Sequence, residues 1–196
     1  MGNLKVNLLG LVISTLFISA CGKAGSSGGG SNGANGVTPQ PGCTDQTQQC
    51  SFLNAHNQVR ASASPTPSPA LPLLSYSSAL ETAANTWAQS CNFTYDPALG
   101  AMGQNVFASN ASFTPENIVA RWAAQATDYT YSSNTCASGK VCGNYTQLVW
   151  RTTTQVGCAV KTCTTGSPFG TVNGGTWYFA VCNYNPGGNF IGLSPY

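Results

Sequence analysis

Charged side chains are scarce in this chain of 196 residues: only 6% are Asp, Glu, Lys or Arg, against roughly a quarter in typical globular proteins. Two of the seven basic residues, Lys5 and Lys23, precede Cys43, so the part from Cys43 onward holds five basic and five acidic residues and is formally neutral. Nucleic-acid binding depends on clustered Lys and Arg side chains. The sequence therefore predicts no nucleic-acid partner.

Histidine is also nearly absent, since His56 is the only one, and no two cysteines have the C-x-x-C spacing. That spacing is typical of zinc ribbons and dithiol redox motifs, which are thereby excluded. A nucleophilic serine or cysteine needs a base beside it, most often a histidine. The sequence thus predicts a protein that is not an enzyme. A protease or esterase of the cell envelope, and a purely structural envelope protein, remain the alternatives.

The N-terminus has the features of an export signal. Lys5 precedes an apolar stretch over residues 6–17, which is too short to span a bilayer comfortably. Ile18, Ser19 and Ala20 then lead into Cys21, and this pattern resembles a bacterial lipobox. We expect residues 1–20 to be a lipoprotein signal peptide, with the Cys21 thiol carrying the lipid anchor. Ordinary cleavage nearby, which would leave Cys21 free, is the alternative.

A spacer and one domain follow. Residues 21–42 are dominated by Gly, Ser and Asn, which predicts a flexible linker after Cys21. The domain then covers residues 43–196 and contains no internal repeat. Without Cys21 the nine cysteines become an even set of eight, which in an exported chain predicts disulfides formed in an oxidising compartment. We expect the domain in the periplasm or extracellular space, on the outer membrane or cell surface.

Hydrophobic periodicity predicts three helices in the first two thirds of the domain. The first covers about 51–62, the second begins at Ser78 with Glu81 completing a capping box, and the third begins at Thr114-Pro115-Glu116. Two strands are predicted later, at 155–163 from alternation and at 177–184 from a continuous apolar run. Helices that precede antiparallel strands predict an α+β fold.

Two sequences, GNYTQLVWRTTTQVGCA at 143–159 and CNYNPGGNFIGLSPY at 182–196, closely resemble the signatures of the CAP superfamily, also called SCP domains. Members include plant pathogenesis-related and animal cysteine-rich secretory proteins. Three shorter matches occur in the same order: HNQVR at 56–60, GQN at 103–105 and YTYSSNTC at 129–136. The resemblance implies a disulfide-stabilised three-layer α-β-α sandwich around a small antiparallel sheet. By the same analogy three pairs would be Cys91–Cys142, Cys136–Cys158 and Cys163–Cys182, and the remaining pair, Cys43–Cys50, would close a small loop ahead of the first helix.

Many CAP proteins have a cleft with two histidines and two glutamates that can bind a divalent metal. Carried over by motif, these positions fall at Tyr95, Gln104, Gln125 and Asn144. Amides and a phenol are poor zinc ligands and poor general bases, and the family counterpart of His56 is usually structural. The resemblance, with these departures, implies no metal, no other cofactor and no catalytic residues.

The remaining expectation is a neutral polar cleft on a monomeric, lipid-anchored binding module. Amide side chains both donate and accept hydrogen bonds, so this cleft could bond to itself or hold a neutral ligand. Family analogy suggests a lipid, a sterol, a sugar or a protein partner.

Overall fold

The computed structural model describes Cys43, residues 47–170 and residues 175–196. The predicted signal peptide, the lipidated Cys21 and the linker lie outside the described residues. The described residues form four α-helices: α1 (Gln48–Ala61), α2 (Ser78–Ala88), α3 (Pro115–Ala123) and α4 (Gly143–Leu148). None of the helices in the described part is long and apolar enough to cross a membrane.

Side-chain caps start the first three helices. The hydroxyl oxygens of Thr47, Ser77 and Thr114 each accept a hydrogen bond, at 3.3 Å, from the backbone amide three residues on. The predicted start of α2 at Ser78 is confirmed, but its cap is Ser77, because Ser77 still has extended backbone angles. Helix α3 continues as a tighter 3₁₀ turn over Ala124–Asp128.

A four-stranded sheet forms the middle layer. Its strands are β1 (Ser75–Tyr76), β2 (Gly103–Ser109), β5 (Gln155–Cys163) and β6 (Trp177–Asn185), in the order β1-β5-β6-β2. The long strands pair antiparallel, and the short β1 adds to β5 in parallel. A separate hairpin joins β3 (Tyr129–Thr130) to β4 (Thr135–Cys136).

The two faces of β6 explain its continuous apolar run. Ala180, Cys182 and Tyr184 pack with residues of α1, α3 and α4. Trp177, Phe179 and Val181 pack on the opposite face with residues of α2. The sheet is therefore covered on both sides, as the predicted α-β-α sandwich requires.

Helix α2 lies so close to the sheet that one position beneath it has no room for a side chain. A Cβ at Gly157 would lie 2.2 Å from the backbone nitrogen of Glu81 and 2.5 Å from the carbonyl oxygen of Ser77. Real Cβ atoms essentially never come that near. Glycine in β5 therefore sets the spacing between these two layers.

The disulfides agree with one predicted pair and correct three. Cys43–Cys50 is present as predicted. The other three bonds are Cys91–Cys163, Cys136–Cys142 and Cys158–Cys182.

Strand register and layering explain the corrections. Cys158 lies directly opposite Cys182 in the β5–β6 ladder, whereas Cys163 lies opposite Trp177. The predicted pairs Cys163–Cys182 and Cys136–Cys158 are therefore wrong. Cys91–Cys142 is also wrong, because Cys91 follows α2 on one face of the sheet while Cys142 precedes α4 on the other.

Candidate functional site

The four predicted cleft positions come from four separate elements. Gln104 is the second residue of β2, Gln125 lies in the 3₁₀ turn after α3, Asn144 is the second residue of α4, and Tyr95 lies in the loop after α2. The Oε1 atom of Gln125 accepts hydrogen bonds from the backbone amides of Asn144, at 3.0 Å, and Tyr145, at 3.2 Å. These amides belong to the first turn of α4 and have no partner within that helix. Gln125 therefore caps α4 from another element.

Gln104 is 8% exposed and uses both ends of its carboxamide. Its Oε1 accepts from the amide of Asp96 at 2.9 Å, and its Nε2 donates to Oδ1 of Asn183 at 2.8 Å. The first bond fixes the loop that carries Tyr95, whose own side chain is 58% exposed. Gln104 and Gln125 thus bond to the protein, and Tyr95 faces solvent.

A second series of hydrogen-bonded polar residues links the cleft positions to the core. These residues were not predicted from the sequence to belong to a site. The Nδ2 group of Asn105 donates to the carbonyl oxygen of Asn144 and to the Tyr184 hydroxyl, both at 3.1 Å. Asn105 was missed because strand β2 was not predicted, and Tyr184 was missed because it lies in the continuous apolar run of β6. The only available signal was that the motif matches GQN and CNY contain them.

His56 ends this series in the core and is fully buried. Its Nδ1 lies 2.7 Å from the carbonyl oxygen of Phe52, so Nδ1 must donate, and Nε2 then accepts from the Tyr184 hydroxyl at 2.9 Å. Burial lowers the pKa of His56 to about 4, against the opposing effect of the Phe52 bond, and the Arg60 charge lowers it further. Burial also raises the pKa of Tyr184. The hydrogen-bonded side chains of His56 and Tyr184 are therefore neutral at physiological pH.

Gln147 shows what the polar part of the 143–159 motif does. Its Oε1 accepts from the amide of Gly188 at 2.9 Å, and its Nε2 donates to the Thr153 hydroxyl at 3.1 Å. Thr153 in turn donates to the carbonyl of Pro186 at 2.9 Å. The motif is thus a buried joint that fastens the segment after β6 to α4.

Neither the cleft positions nor the group around His56 offers a set of ligands that fits a divalent metal. Gln104 and Gln125 already use their carbonyl oxygens on backbone amides, and no carboxylate or imidazole replaces them. Among the described residues, His56, Cys158 and Cys182 have potential ligand atoms within 4.8 Å of one another. Both sulfurs are in a disulfide and both His56 nitrogens are hydrogen-bonded, so this group does not fit a metal either.

An open groove of about 640 Å³ lies on the α1/α3 side of the molecule. One part of its lining is apolar: Val59, Ala63, Pro65, Ala123 and Ala126. The phenol rings of Tyr129 and Tyr145 also line it. Its hydroxyl groups come from Ser62, Ser64, Thr130, Tyr131 and Ser132. No charged residue is in this lining, and we refer to it below as the α1 groove.

The fold and the disulfides define a class of protein, the extracytoplasmic α-β-α sandwich cross-linked by disulfide bonds. The family model of the CAP, cysteine-rich secretory protein family matches residues 53–184. Pathogenesis-related leaf protein 4 of Solanum lycopersicum is 33% identical over 158 residues, 79% of this chain and 87% of that protein. Pathogenesis-related protein 1C of Nicotiana tabacum is 36% identical over 159 residues, 79% and 84% of the two chains.

A solved structure agrees with these sequence matches. Venom allergen-like protein 4 of Schistosoma mansoni superposes with a TM-score of 0.58 at 26% identity, over 72% of this chain and 90% of that one. The chain belongs to the CAP family. Secretion of the family, together with the four disulfides, fits a protein that works outside the cytoplasm.

Proposed function

We propose that this chain is a non-enzymatic binding module, tethered to the cell envelope through acylated Cys21, and that the α1 groove holds its ligand. The α1 groove is the observation that carries the proposal. The lipobox pattern before Cys21 supports the tether. Of the cleft positions Tyr95, Gln104, Gln125 and Asn144, the two glutamines serve the fold and not a metal, because their side-chain oxygens hold backbone amides.

The hydrogen bonds of the cleft support its structural role. A buried amide that already has its partners gains little by exchanging them for a ligand, because the exchange leaves a backbone group unsatisfied. Gln125 would have to release two amides of α4, and Gln104 would have to release the Tyr95 loop. The ligand seat therefore differs from the one that the motifs predict.

The lining of the α1 groove indicates the ligand class. Apolar and aromatic walls with a few polar groups are typical of small-molecule sites. Val59, Ala63 and Ala126 suit an alkyl or polycyclic body, while Thr130 and Ser132 suit a neutral head group with hydroxyl or ester oxygens. Absence of a cation from the lining disfavours a carboxylate or phosphate head. We propose a neutral amphiphile, such as a sterol or an acylglycerol.

Calorimetric titration with 1-dodecanol tests this seat directly. Ala126→Phe fills the α1 groove from the 3₁₀ turn, and we expect it to weaken binding about tenfold or more, since a bulky ring displaces the alkyl chain. Ala120→Phe, on the exposed side of α3, is the matched control and is expected to bind as the unmodified protein does. Equal binding by all three proteins, or none by any, would overturn the proposal.

A further inference from the structure

Four exposed apolar side chains lie on two chain segments that meet at the start of α4, where Asn189 is hydrogen-bonded to Gly143. Phe190, Ile191 and Leu193 are 55%, 103% and 58% exposed, and Val141 is 64% exposed. Leu193 donates its amide to the carbonyl oxygen of Phe190 at 3.1 Å, which closes a four-residue turn. Gly192 has φ +80°, and glycine is favoured at this third turn position. The turn therefore holds Ile191 at its tip. We call Phe190–Leu193 together with Val141 the apolar turn.

The apolar turn is fixed in place by the residues that flank it. The Thr146 hydroxyl donates to Oδ1 of Asn189 at 2.6 Å, and Nδ2 of Asn189 donates to the carbonyl of Gly143 at 2.8 Å. The Arg151 amide donates to the carbonyl of Pro195 at 2.7 Å. The Phe190 ring meets Trp150 edge-on, with centroids 5.9 Å apart. Ile191 is thus exposed by a built turn and not by fraying of the C-terminus.

Charge is arranged around this turn in a way that suits a lipid surface. Residues 186–196 contain no charged side chain. Lys140, directly before Val141, is 57% exposed and has only a loose ion pair with Asp128, 3.9 Å away. An apolar tip beside a lysine can enter the acyl region while the ammonium group stays at the level of the phosphates.

We propose that the apolar turn inserts into the surface of the phospholipid bilayer to which the chain is tethered. The tether rests on the proposed function, and a Gly/Ser-rich sequence of the length between Cys21 and Cys43 has an r.m.s. reach of about 25 Å from that bilayer. A protruding turn penetrates a fluid lipid layer more readily than it packs against an identical protruding turn, which disfavours a second copy as the partner.

Insertion would also place the ligand site close to the lipids. A smaller cavity of about 280 Å³ lies behind the apolar turn, and both Phe190 and Leu193 line it. Tyr129 lines this cavity and the α1 groove. A docked turn therefore holds the α1 groove near the membrane from which an amphiphile would come.

The test measures partition of the unacylated mature chain, residues 21–196 with Cys21→Ser, onto vesicles of phosphatidylcholine and phosphatidylglycerol by co-sedimentation. Leaving out the apolar signal peptide and the acyl group isolates the turn. We expect Ile191→Asp to lower the partition coefficient at least tenfold, because the carboxylate cannot enter the acyl region and the apolar contact is lost. Ile191→Trp should raise partition, since indole favours the membrane interface. Ile191 is fully exposed, so both variants should unfold at the same temperature as the parent.

Phe169→Asp is the matched control. Phe169 is 47% exposed and lies between β5 and β6, whereas the apolar turn follows the opposite end of that strand pair. The partition coefficient of Phe169→Asp should equal that of the parent. The inference is overturned if Ile191→Asp partitions like the parent, or if Phe169→Asp loses as much. It is also overturned if sedimentation velocity shows a dimer that Ile191→Asp dissociates. A missing acyl group on native Cys21 would refute the tether and leave this partition result unaffected.

Discussion

Arg60 is the most deeply buried cation that the structure describes, and no carboxylate balances its charge. It is 1% exposed, and its guanidinium donates to the carbonyl oxygens of Pro72, Leu148, Trp150 and Thr153. Burial lowers the pKa of Arg60 to about 10, with a further contribution from Arg151, so it stays charged at neutral pH. One side chain thus joins the end of α1 to the backbone after α4.

We expect Arg60→Met to lower the free energy of unfolding by about 3–5 kcal/mol, because it leaves several buried carbonyl groups without a donor. Urea denaturation followed by tryptophan fluorescence measures the change. Arg121→Met is the control, since Arg121 is exposed on α3, and it should cost less than about 1 kcal/mol. Equal effects of the two substitutions would show that the guanidinium does not hold this joint.

His56 predicts how stability depends on pH. The folded-state pKa of about 4 lies below the ordinary value of 6.5, so the unfolded chain binds the proton more readily. The contribution of neutral His56 is complete above pH 6.5 and is lost as the pH falls from 6.5 towards 4. The loss amounts to about 3 kcal/mol by pH 4. Unfolding free energies of the parent and of His56→Gln at pH 7 and pH 4.5 measure it. Parallel losses in both proteins would exclude His56 as the source.

At the scale of elements, the sequence predicted the parts whose signals are local. The helix-start signal at Thr114-Pro115 and the apolar alternation in β5 each depend only on neighbouring residues. Helix α3 and strand β5 both form as predicted. Helix α4 is six residues long, too short for a periodic pattern. Strand β2 was missed because it carries Gln104 and Asn105, whose burial depends on partners far away in the chain. Three of the four disulfide pairs were predicted wrongly for the same reason, since they depend on strand register and on the layering of the helices.

Gly157 gives a prediction about the contact between α2 and β5. Gly157→Ala should destabilise the fold by about 1–3 kcal/mol, because the new Cβ meets rigid backbone of α2 and must push the helix away. Gly143→Ala is the control, as its Cβ would meet only Nδ2 of Asn189, at 3.8 Å. Thermal unfolding compares the two. A tolerated Gly157→Ala would mean that α2 does not pack on the sheet at this distance.

On the scale of the whole molecule, the buried polar residues and the proposed ligand site have separate roles. The buried amides, His56 and Arg60 hold the layers and the C-terminal segment together, whereas the proposed α1 groove and apolar turn lie on the outside. The sequence motifs that identified the family contain these structural residues. They could not reveal the α1 groove, because its lining comes from α1 and the loop after it, from α3 and its 3₁₀ turn, from the β3 region and from Tyr145 of α4. It consists largely of small residues and hydroxyls common throughout this chain.

Native mass spectrometry of the protein purified from its own membranes tests the central claim most directly. The account predicts a chain that begins at an acylated Cys21 and carries one non-covalent neutral amphiphile, which Ala126→Phe displaces and Ala120→Phe retains. Recovery of a protein with no bound amphiphile, or of an amphiphile that Ala126→Phe leaves in place, would contradict the α1 groove as the ligand seat.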